Sequence, residues 1–434
     1  MCGNRSLWRT LPHGSSDEPG RAHGLAHQAG TRRELSGARK RANTMTTPIG
    51  IHDLAFATGS RVLDLSVIAE RLGTEIEKYT IGIGQERMSI PAADEDIVTM
   101  GAAAAKQIID RHGAEGIRTV LFATETGIDQ SKAAGVYVHQ LLELPATCRV
   151  VELKQACYSA TAALQFATAL VARDPRQRVL VIASDVARYE LGSSGEPTQG
   201  AGAVAMLVAA DPDLVVIEPG SGVFTSDIMD FWRPNGRVTA LVDGKYSIRA
   251  YLQAVENAWN DYSAQGGFPI SEFNRFCYHQ PFTKMASKAH RHLIKTAGGD
   301  LDPAVLDAQI APTLKYNRVI GNTYTASIYL ALLSLLDSDE ELDETKIGFL
   351  SYGSGSVAEF FAGTVQPGYR KHLRSEENRS VLAARVPIDA SEYLTWHERR
   401  DPTELGDFAL PNETPGPFRL AGFTDLKRDY AVTQ

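Results

Sequence analysis

Two periodicities of apolar residues run along most of the chain. Alternating or continuous apolar runs predict β-strands at 49–56, 119–124, 149–153, 178–184, 201–209, 276–279, 347–352 and 357–365. Apolar residues at helical spacing predict α-helices at 62–72, 101–111, 132–144, 156–171, 282–296 and 321–336. A polar and aromatic stretch, residues 224–260, has no predicted element. Because strands alternate with helices, the pattern predicts an α/β fold.

The order of these elements predicts two similar halves, at 45–215 and 216–434. Each half holds strand–turn–helix units, although the two share no obvious sequence repeat. The first 44 residues differ, since they are rich in arginine, glycine, serine and histidine and lack the apolar segment of a secretory signal. This composition indicates a disordered extension, or one that lies upstream of a natural start at Met45. An arginine-rich transit peptide is the alternative.

Composition and charge narrow the class of protein. The 434 residues include 44 Lys and Arg against 52 Asp and Glu, a net charge of -8. This mild acidity argues against nucleic acid as the main partner, which requires a basic surface. The longest apolar run, at 201–210, is well short of the roughly 18 residues of a membrane span. The four cysteines have neither disulfide nor zinc-site spacing, so we expect a reduced, cytoplasmic protein without a bound metal or a membrane partner.

Cys157 is the first candidate for chemistry. It lies in the segment ELKQACYSATAA, where an apolar strand ends and a helix of small residues begins. A thiol at a helix N-terminus experiences the positive end of the helix dipole, which favours the thiolate. The alternative is a buried cysteine that packs as a small hydrophobic residue, which is how we interpret Cys277. The strand–helix junction leaves both interpretations of Cys157 open.

Three further segments place polar side chains beside predicted turns. His279 ends a strand just before a helix, where α/β sheets tend to bind ligands, although a lone histidine is more often structural. Asn322 precedes another helix and either caps it or orients a substrate carbonyl. Glu125 follows a strand and matters as a base only if it faces Cys157.

A glycine-rich turn, SYGSGS at 351–356, links the last two predicted strands. It is either a simple hairpin or a source of backbone N–H groups for an oxyanion. It is not a nucleotide-binding loop, because neither GK[ST] nor GxGxxG appears in a strand–helix context.

Together these segments resemble the 3-hydroxy-3-methylglutaryl-CoA (HMG-CoA) synthases of the actinomycete-type bacterial branch, which are thiolase-like condensing enzymes. The resemblance runs from residue 49 to about residue 430 and rests on motifs in the same order: GIGQERMSIP, ATETGIDQSKA, ELKQACYSAT, GEPTQGAGAVAM, DFWRP, LVDG, YHQPFTKM, GNTYTAS and FLSYGSGS. It implies a thiolase-like five-layered α/β/α/β/α fold from two similar halves, and a homodimer. The first 44 residues have no counterpart in the family.

The resemblance implies roles for individual residues. Cys157 matches the acetylated nucleophile, Glu125 the acid/base residue, and His279 the residue that binds and polarises acetoacetyl-CoA. Backbone N–H groups of Cys157, Gly353 and Ser354 are candidate oxyanion donors. Further residues matched to substrate contacts or to support of the site are Asn322, Ser354, Lys284, Asp185, Asp230, Tyr189 and Thr198.

The implied reaction condenses acetyl-CoA with acetoacetyl-CoA and water to HMG-CoA and CoA, in the mevalonate pathway of isoprenoid synthesis. Cys157 takes the acetyl group as a thioester, and Glu125 removes a methyl proton. The carbanion attacks the ketone while His279 donates to its oxygen, and water then releases the product. CoA thioesters are the substrates, and no metal or other cofactor is implied.

Three other functions share parts of this pattern. A ketoacyl synthase III-type enzyme also uses Cys, His and Asn, but decarboxylation supplies its carbanion, so it needs no carboxylate such as Glu125. A β-branching enzyme performs the same chemistry on a carrier-protein-bound β-ketoacyl group, and the sequence does not separate it firmly. A silent scaffold would not need Cys157, Glu125 and His279 together.

Overall fold

The computed structural model describes residues 47–399 and 406–433, so the predicted extension at 1–44 lies outside the described residues. The β-strands are β1 (Ile49–Thr58), β2 (Arg61–Asp64), β3 (Arg87–Ile90), β4 (Ile117–Ala123), β5 (Arg149–Leu153), β6 (Arg178–Val186), β7 (Ala201–Ala210), β8 (Val215–Thr225), β9 (Phe231–Trp232), β10 (Leu241–Val242), β11 (Arg275–Tyr278), β12 (Lys346–Gly353), β13 (Val357–Val365), β14 (Val386–Pro387), β15 (Phe408–Ala409), β16 (Phe418–Thr424) and β17 (Lys427–Val432). The α-helices are α1 (Leu65–Leu72), α2 (Glu77–Thr80), α3 (Ile97–His112), α4 (Ala134–Leu141), α5 (Ser159–Arg173), α6 (Gly244–Ala264), α7 (Thr283–Thr296), α8 (Pro303–Ile310), α9 (Lys315–Ile320), α10 (Ser327–Leu336), α11 (Ser375–Ala383) and α12 (Ala390–His397).

Nine strands form a mixed sheet in the order β11-β12-β13-β8-β1-β7-β6-β4-β5. Two arms meet where β1 pairs with β8 through a short ladder, Gly50 with Val216 and Ile51 with Val215. The N-terminal arm is β1, β7, β6, β4 and β5, and the C-terminal arm is β8, β13, β12 and β11. Strand β4 runs parallel to β5 and β6, and β11 runs parallel to β12. The carboxyl ends of these parallel strands therefore meet at common edges.

The alternation of side chains along the strands divides the core into layers. Helices α5 and α10 lie between the two arms, in an apolar cluster that includes Val181 of β6 and Phe349 of β12. Helices α3 and α4 cover the other face of the N-terminal arm, where Phe122 is buried. Helices α6 and α7 cover the other face of the C-terminal arm, where Phe360 is buried. The layers are thus α/β/α/β/α, which confirms the predicted thiolase-like fold, and Cys277 is confirmed as a core residue between the arms.

Three small sheets complete the described structure: β14-β2-β3, β9-β10 and β15-β16-β17. The hairpin of β9 and β10 matters most for the site. Its strands pair Phe231 with Val242 and Trp232 with Leu241. Phe231 and Val242 pack against a small cluster that contains Cys157, so this hairpin forms one wall of the site.

Two predicted helices are wrong in part, and one helix was not predicted. Residues 62–72 are not one helix, because the Asp64 side chain accepts from the Ser66 N–H at 3.0 Å and starts α1 after a strand. Residues 321–336 begin as a turn, since Gly321 has a φ of 91° and α10 starts at Ser327. The stretch 224–260 contains most of α6, whose apolar face is interleaved with polar residues. The boundary between halves at 215/216 stays a prediction. In the described ranges, no helix has the length and apolar character to cross a membrane.

Candidate active site

Cys157 lies between the end of β5 and the start of α5, two residues before Ser159. The chain turns sharply there, because Ala156 has a left-handed φ of 42°. The Ser159 hydroxyl accepts from the Gln155 N–H at 2.6 Å and donates to the Ala156 carbonyl at 2.8 Å, which stabilises the turn. The side chain of Cys157 is buried, with 7% of the residue exposed. The turn thus presents the thiol at the carboxyl edge of the N-terminal arm.

Glu125 faces this thiol. It follows β4, the neighbour of β5, and its Oε2 accepts from the Cys157 Sγ at 3.2 Å. Burial of the carboxyl, and next the negative charge of Asp185, raise the pKa of Glu125 to about 8. Glu125 can act as a base only if it lies within reach of Cys157, and in the structure it does.

The surroundings of Cys157 favour the neutral thiol. Burial, the charge of Glu125 and the hydrogen bond to it raise the pKa of Cys157 well above its usual range. This direction is opposite to the one expected from the helix terminus. The helix begins two residues later, and burial of the sulfur is the largest cause of the raised pKa.

Asp185 lies near the end of β6, behind Glu125, and is fully buried. Its carboxylate accepts six hydrogen bonds, all from protein groups. They come from the hydroxyl of Thr124, the N–H of Glu125, and both the N–H and the hydroxyl of Thr126 and Thr325. Burial still raises the pKa of Asp185, although the threonine hydrogen bonds oppose that effect. Asp185 therefore fixes the loop of Glu125 to the segment around Thr325, and its oxygens are already occupied.

His279 directly follows β11, and it is 3% exposed. The main-chain N–H of His279 donates to the Leu350 carbonyl at 3.0 Å, and its main-chain carbonyl accepts from the Tyr251 hydroxyl at 2.8 Å. The Tyr251 ring also stacks on the imidazole at 6.3 Å. Burial lowers the pKa of His279 to about 3, so the ring is neutral. Within the described residues, its Nδ1 is buried and has no hydrogen-bond partner.

Tyr251 supports this histidine from one side. Burial raises the pKa of Tyr251 well above its usual range. Its ring also lies 4.7 Å from that of Tyr352, in β12 at the start of the glycine-rich turn. Tyr324 of the C-terminal half packs in the same cluster as Cys157, so residues of both halves line the site. Tyr251 was not predicted, because it lies in the stretch with no predicted element; helical periodicity within α6 was the available signal.

Asn322 has the capping role, and a role toward a substrate carbonyl stays a prediction. Its Oδ1 accepts from the Tyr324 N–H at 2.9 Å, so it caps the short turn before α10. Tyr324 in turn packs with Tyr189 and Cys157 in one cluster. Thr198 is less direct: its carbonyl accepts from the Asn322 N–H at 2.9 Å, and its hydroxyl donates to Gly195 at 2.7 Å.

The glycine-rich turn lies against the turn of Cys157. A Cβ on Gly353 would lie 2.5 Å from the Gln155 carbonyl, so the two backbones approach too closely for a side chain. The Gln155 amide donates to the Ser354 carbonyl at 3.2 Å. Asp230 anchors the turn from behind, since it accepts from the Gly355 N–H at 2.9 Å. Contacts of Gly353 and Ser354 with an oxyanion stay a prediction.

Lys284 is the predicted site residue that lies apart from the buried group. It is exposed near the start of α7, where its ammonium donates to the Ile81 carbonyl at 3.0 Å. Arg233 was not predicted, although its motif DFWRP was noted; its guanidinium donates to the main-chain carbonyl of Glu125. Among residues 47–399 and 406–433, no cluster of three or more His, Cys, Asp or Glu side chains could hold a metal ion.

Comparisons with known proteins identify the family of this chain. The model of the family described as "Hydroxymethylglutaryl-coenzyme A synthase N terminal" matches residues 46–213. The model of the corresponding C-terminal family matches residues 215–298 and 300–404. The hydroxymethylglutaryl-CoA synthase of Enterococcus faecalis is 40% identical over 88% of this chain and 99% of its own length.

Two further relatives bear on the substrate. A solved structure in complex with 3-hydroxy-3-methylglutaryl coenzyme A has a TM-score of 0.84 and 38% identity, and covers 90% of this chain and 100% of its own. A polyketide-biosynthesis 3-hydroxy-3-methylglutaryl-ACP synthase of Bacillus subtilis is 32% identical over 79% of this chain and 86% of its own length. With both family regions matched along most of its length, the chain belongs to the hydroxymethylglutaryl-coenzyme A synthase family.

Proposed function

We propose that this chain condenses acetyl-CoA with acetoacetyl-CoA and water to give HMG-CoA and CoA, through an acetyl thioester on Cys157. The observation that carries the proposal is the 3.2 Å contact between the Cys157 sulfur and a Glu125 carboxyl oxygen. A base beside the thiol suits a reaction that must remove a proton from the bound acetyl group. The family membership and the 40% identical synthase support the same reaction.

The first step is transfer of the acetyl group. The Cys157 sulfur attacks the thioester carbonyl, and the bond from that carbon to the CoA sulfur breaks. The thiol proton leaves along the contact to Glu125 and ends on the departing CoA thiolate. Because the pKa of Glu125 is about 8, a minor fraction of its carboxyl is ionised at neutral pH and can accept that proton.

The second step forms the carbon–carbon bond. The Glu125 carboxylate takes a proton from the acetyl methyl group, and the resulting carbanion attacks the ketone carbon of acetoacetyl-CoA. His279 is neutral, so an N–H of its imidazole can donate a hydrogen bond to the ketone oxygen as that oxygen becomes an alkoxide. The proton that Glu125 took from the methyl group then passes to the alkoxide, which gives the tertiary alcohol and regenerates the carboxylate. Water then adds to the enzyme thioester, the bond to Cys157 breaks, and the thiol regains its proton.

We also propose a homodimer in the cytoplasm. Strand β5 is an edge strand of the nine-stranded sheet, and Val151 on it is 47% exposed. Phe166 on the adjacent α5 is 56% exposed. An unpaired edge with exposed apolar side chains is the kind of surface that a second copy covers. Sedimentation of the purified chain at monomer mass would contradict the dimer.

A carrier-protein-bound ketone is the second candidate substrate. The 32% identical relative named as an ACP synthase favours it, although the hydroxymethylglutaryl-CoA synthase of Enterococcus faecalis is more similar, at 40% identity. A decarboxylating ketoacyl synthase is disfavoured, because it has no need for a carboxyl group 3.2 Å from the thiol. A silent scaffold is disfavoured by the same contact.

The test uses the purified chain in two stages. After incubation with acetyl-CoA, mass spectrometry of the Cys157 peptide should show an acetyl adduct, and Cys157→Ser should show none. Acetoacetyl-CoA is then added. Its enolate absorbance should fall as it reacts, and HMG-CoA should appear. An adduct that reacts only with an acetoacetyl-carrier protein supports the second candidate, and one that requires a malonyl-carrier supports a ketoacyl synthase. The absence of any adduct would refute the nucleophile.

A further inference from the structure

A hairpin from the C-terminal half reaches the base of the N-terminal half. Arg233 directly follows β9, and its guanidinium donates to the main-chain carbonyl of Glu125. The side chain is partly buried, in the wall that also carries Phe231 against the Cys157 cluster. A cation is therefore placed in contact with the residue that has to ionise for catalysis.

The position of Arg233 is fixed by Asp230, three residues earlier. Asp230 is fully buried and accepts from the Tyr352 hydroxyl at 2.8 Å and the Ser247 hydroxyl at 3.0 Å, besides the N–H of Gly355. Its own carbonyl accepts from the Asp243 N–H at 3.0 Å, which joins the two ends of the hairpin. Four contacts thus hold the hairpin where Arg233 meets Glu125.

Glu125 needs a compensating charge. As a carboxylate it would lie beside Asp185, a second buried carboxyl, and removing water from two like charges is costly. Arg233 opposes that cost, and it lowers the pKa that burial and Asp185 raise. The charged or titratable groups that act on Glu125 or respond to its charge are Arg233, Asp185, Cys157, Tyr189 and Tyr324.

We propose that Arg233 is a positioning residue for the condensation: it holds the Glu125 loop and stabilises the ionised form in which Glu125 takes the methyl proton. The inference rests on the proposed function. The two can be tested separately. The role of Arg233 concerns the pH at which Glu125 becomes active, whereas the proposed function requires that Cys157 is acetylated at all.

The test compares Arg233→Gln, which keeps a donor and removes the charge, with Arg233→Lys, which keeps the charge. In Arg233→Gln, the midpoint of the pH profile of kcat should rise by about 0.5–1 pH unit, and the condensation rate at pH 7 should fall about 3–10-fold. The final amount of acetyl-Cys157 should match that of the wild type, although it forms more slowly, and Arg233→Lys should restore the midpoint. Arg237→Gln is the matched control, since Arg237 is exposed on the same hairpin loop and pairs with Glu190.

Thermal unfolding of each variant separates loss of fold from loss of charge. A folded Arg233→Gln with an unchanged midpoint would overturn the inference, and so would an equal shift in Arg237→Gln. If Arg233→Gln does not fold, the test rests on Arg233→Lys, which keeps the charge. An unchanged midpoint of the pH profile in Arg233→Lys would support the inference, and a changed midpoint would overturn it. A wild-type chain that forms no acetyl-Cys157 would instead refute the proposed function.

Discussion

The two arms contribute opposite kinds of chemistry to one site. The N-terminal arm supplies Cys157, Glu125 and Asp185, ionisable groups in mutual contact, with the oxygens of Asp185 fully hydrogen-bonded. The C-terminal arm supplies His279, which is neutral, and whose Nδ1 has no partner among the described residues. We therefore expect the N-terminal side to govern the response to pH. The C-terminal side keeps hydrogen-bonding capacity free.

The largest effect is expected from removing the base on the N-terminal side. In Glu125→Ala, Cys157 should still form the acetyl adduct, more slowly, while condensation falls about 10³-fold, in the range of a lost general base. Rapid-quench measurement of the adduct and steady-state loss of acetoacetyl-CoA check the two steps separately. Normal condensation in this variant would mean that another group takes the proton.

A smaller loss is expected on the C-terminal side. His279→Ala removes a neutral donor, so kcat/KM for acetoacetyl-CoA should fall about 10²-fold with acetylation unchanged. The pH midpoint should stay near that of the wild type, because a ring with a pKa of about 3 does not titrate near neutrality. A displaced midpoint would break the contrast between the two sides, since it would assign part of the pH response to His279.

Asp185→Asn tests the rigid part of the N-terminal side. The amide cannot accept all six hydrogen bonds, so activity should fall about tenfold through misplacement of Glu125. Loss of the neighbouring negative charge should also lower the pKa of Glu125, which moves the pH midpoint down. A midpoint that rises instead would contradict the electrostatic role. Arg233→Gln is expected to move it the opposite way.

The sequence predicted the chemical groups better than their surroundings. Parallel strands β4, β5 and β6 carry Glu125, Cys157 and Asp185 at their ends, and those strands were predicted from apolar runs. Their order in the sheet was not, because neighbours in space are set by long-range packing. The contact between Cys157 and Glu125, and hence the raised pKa of each, therefore followed only from the structure.

The supporting residues were the hardest to predict. Tyr251 and Arg233 lie in the stretch 224–260, where alternation with polar residues concealed both α6 and the hairpin of β9 and β10. Asn322 shows a different difficulty: its amide oxygen caps the turn at Tyr324, and Tyr324 itself packs in the cluster of Cys157. A capping signal in the sequence therefore did not decide between structure and function.

The last expected effect concerns stability and not rate, and it measures how much the buried Glu125 carboxylate on the N-terminal side opposes folding. Folding raises the pKa of Glu125 from 4.5 to about 8, so the folded state holds this proton more tightly than the unfolded state. The contribution to stability is complete below pH 4.5 and is lost as pH rises through about 8. Glutamine does not titrate, so the stability of Glu125→Gln relative to the wild type should rise between pH 5 and pH 8, by an amount on the order of 3 kcal/mol. Denaturant unfolding at both pH values measures this, and a difference independent of pH would mean that Glu125 titrates normally.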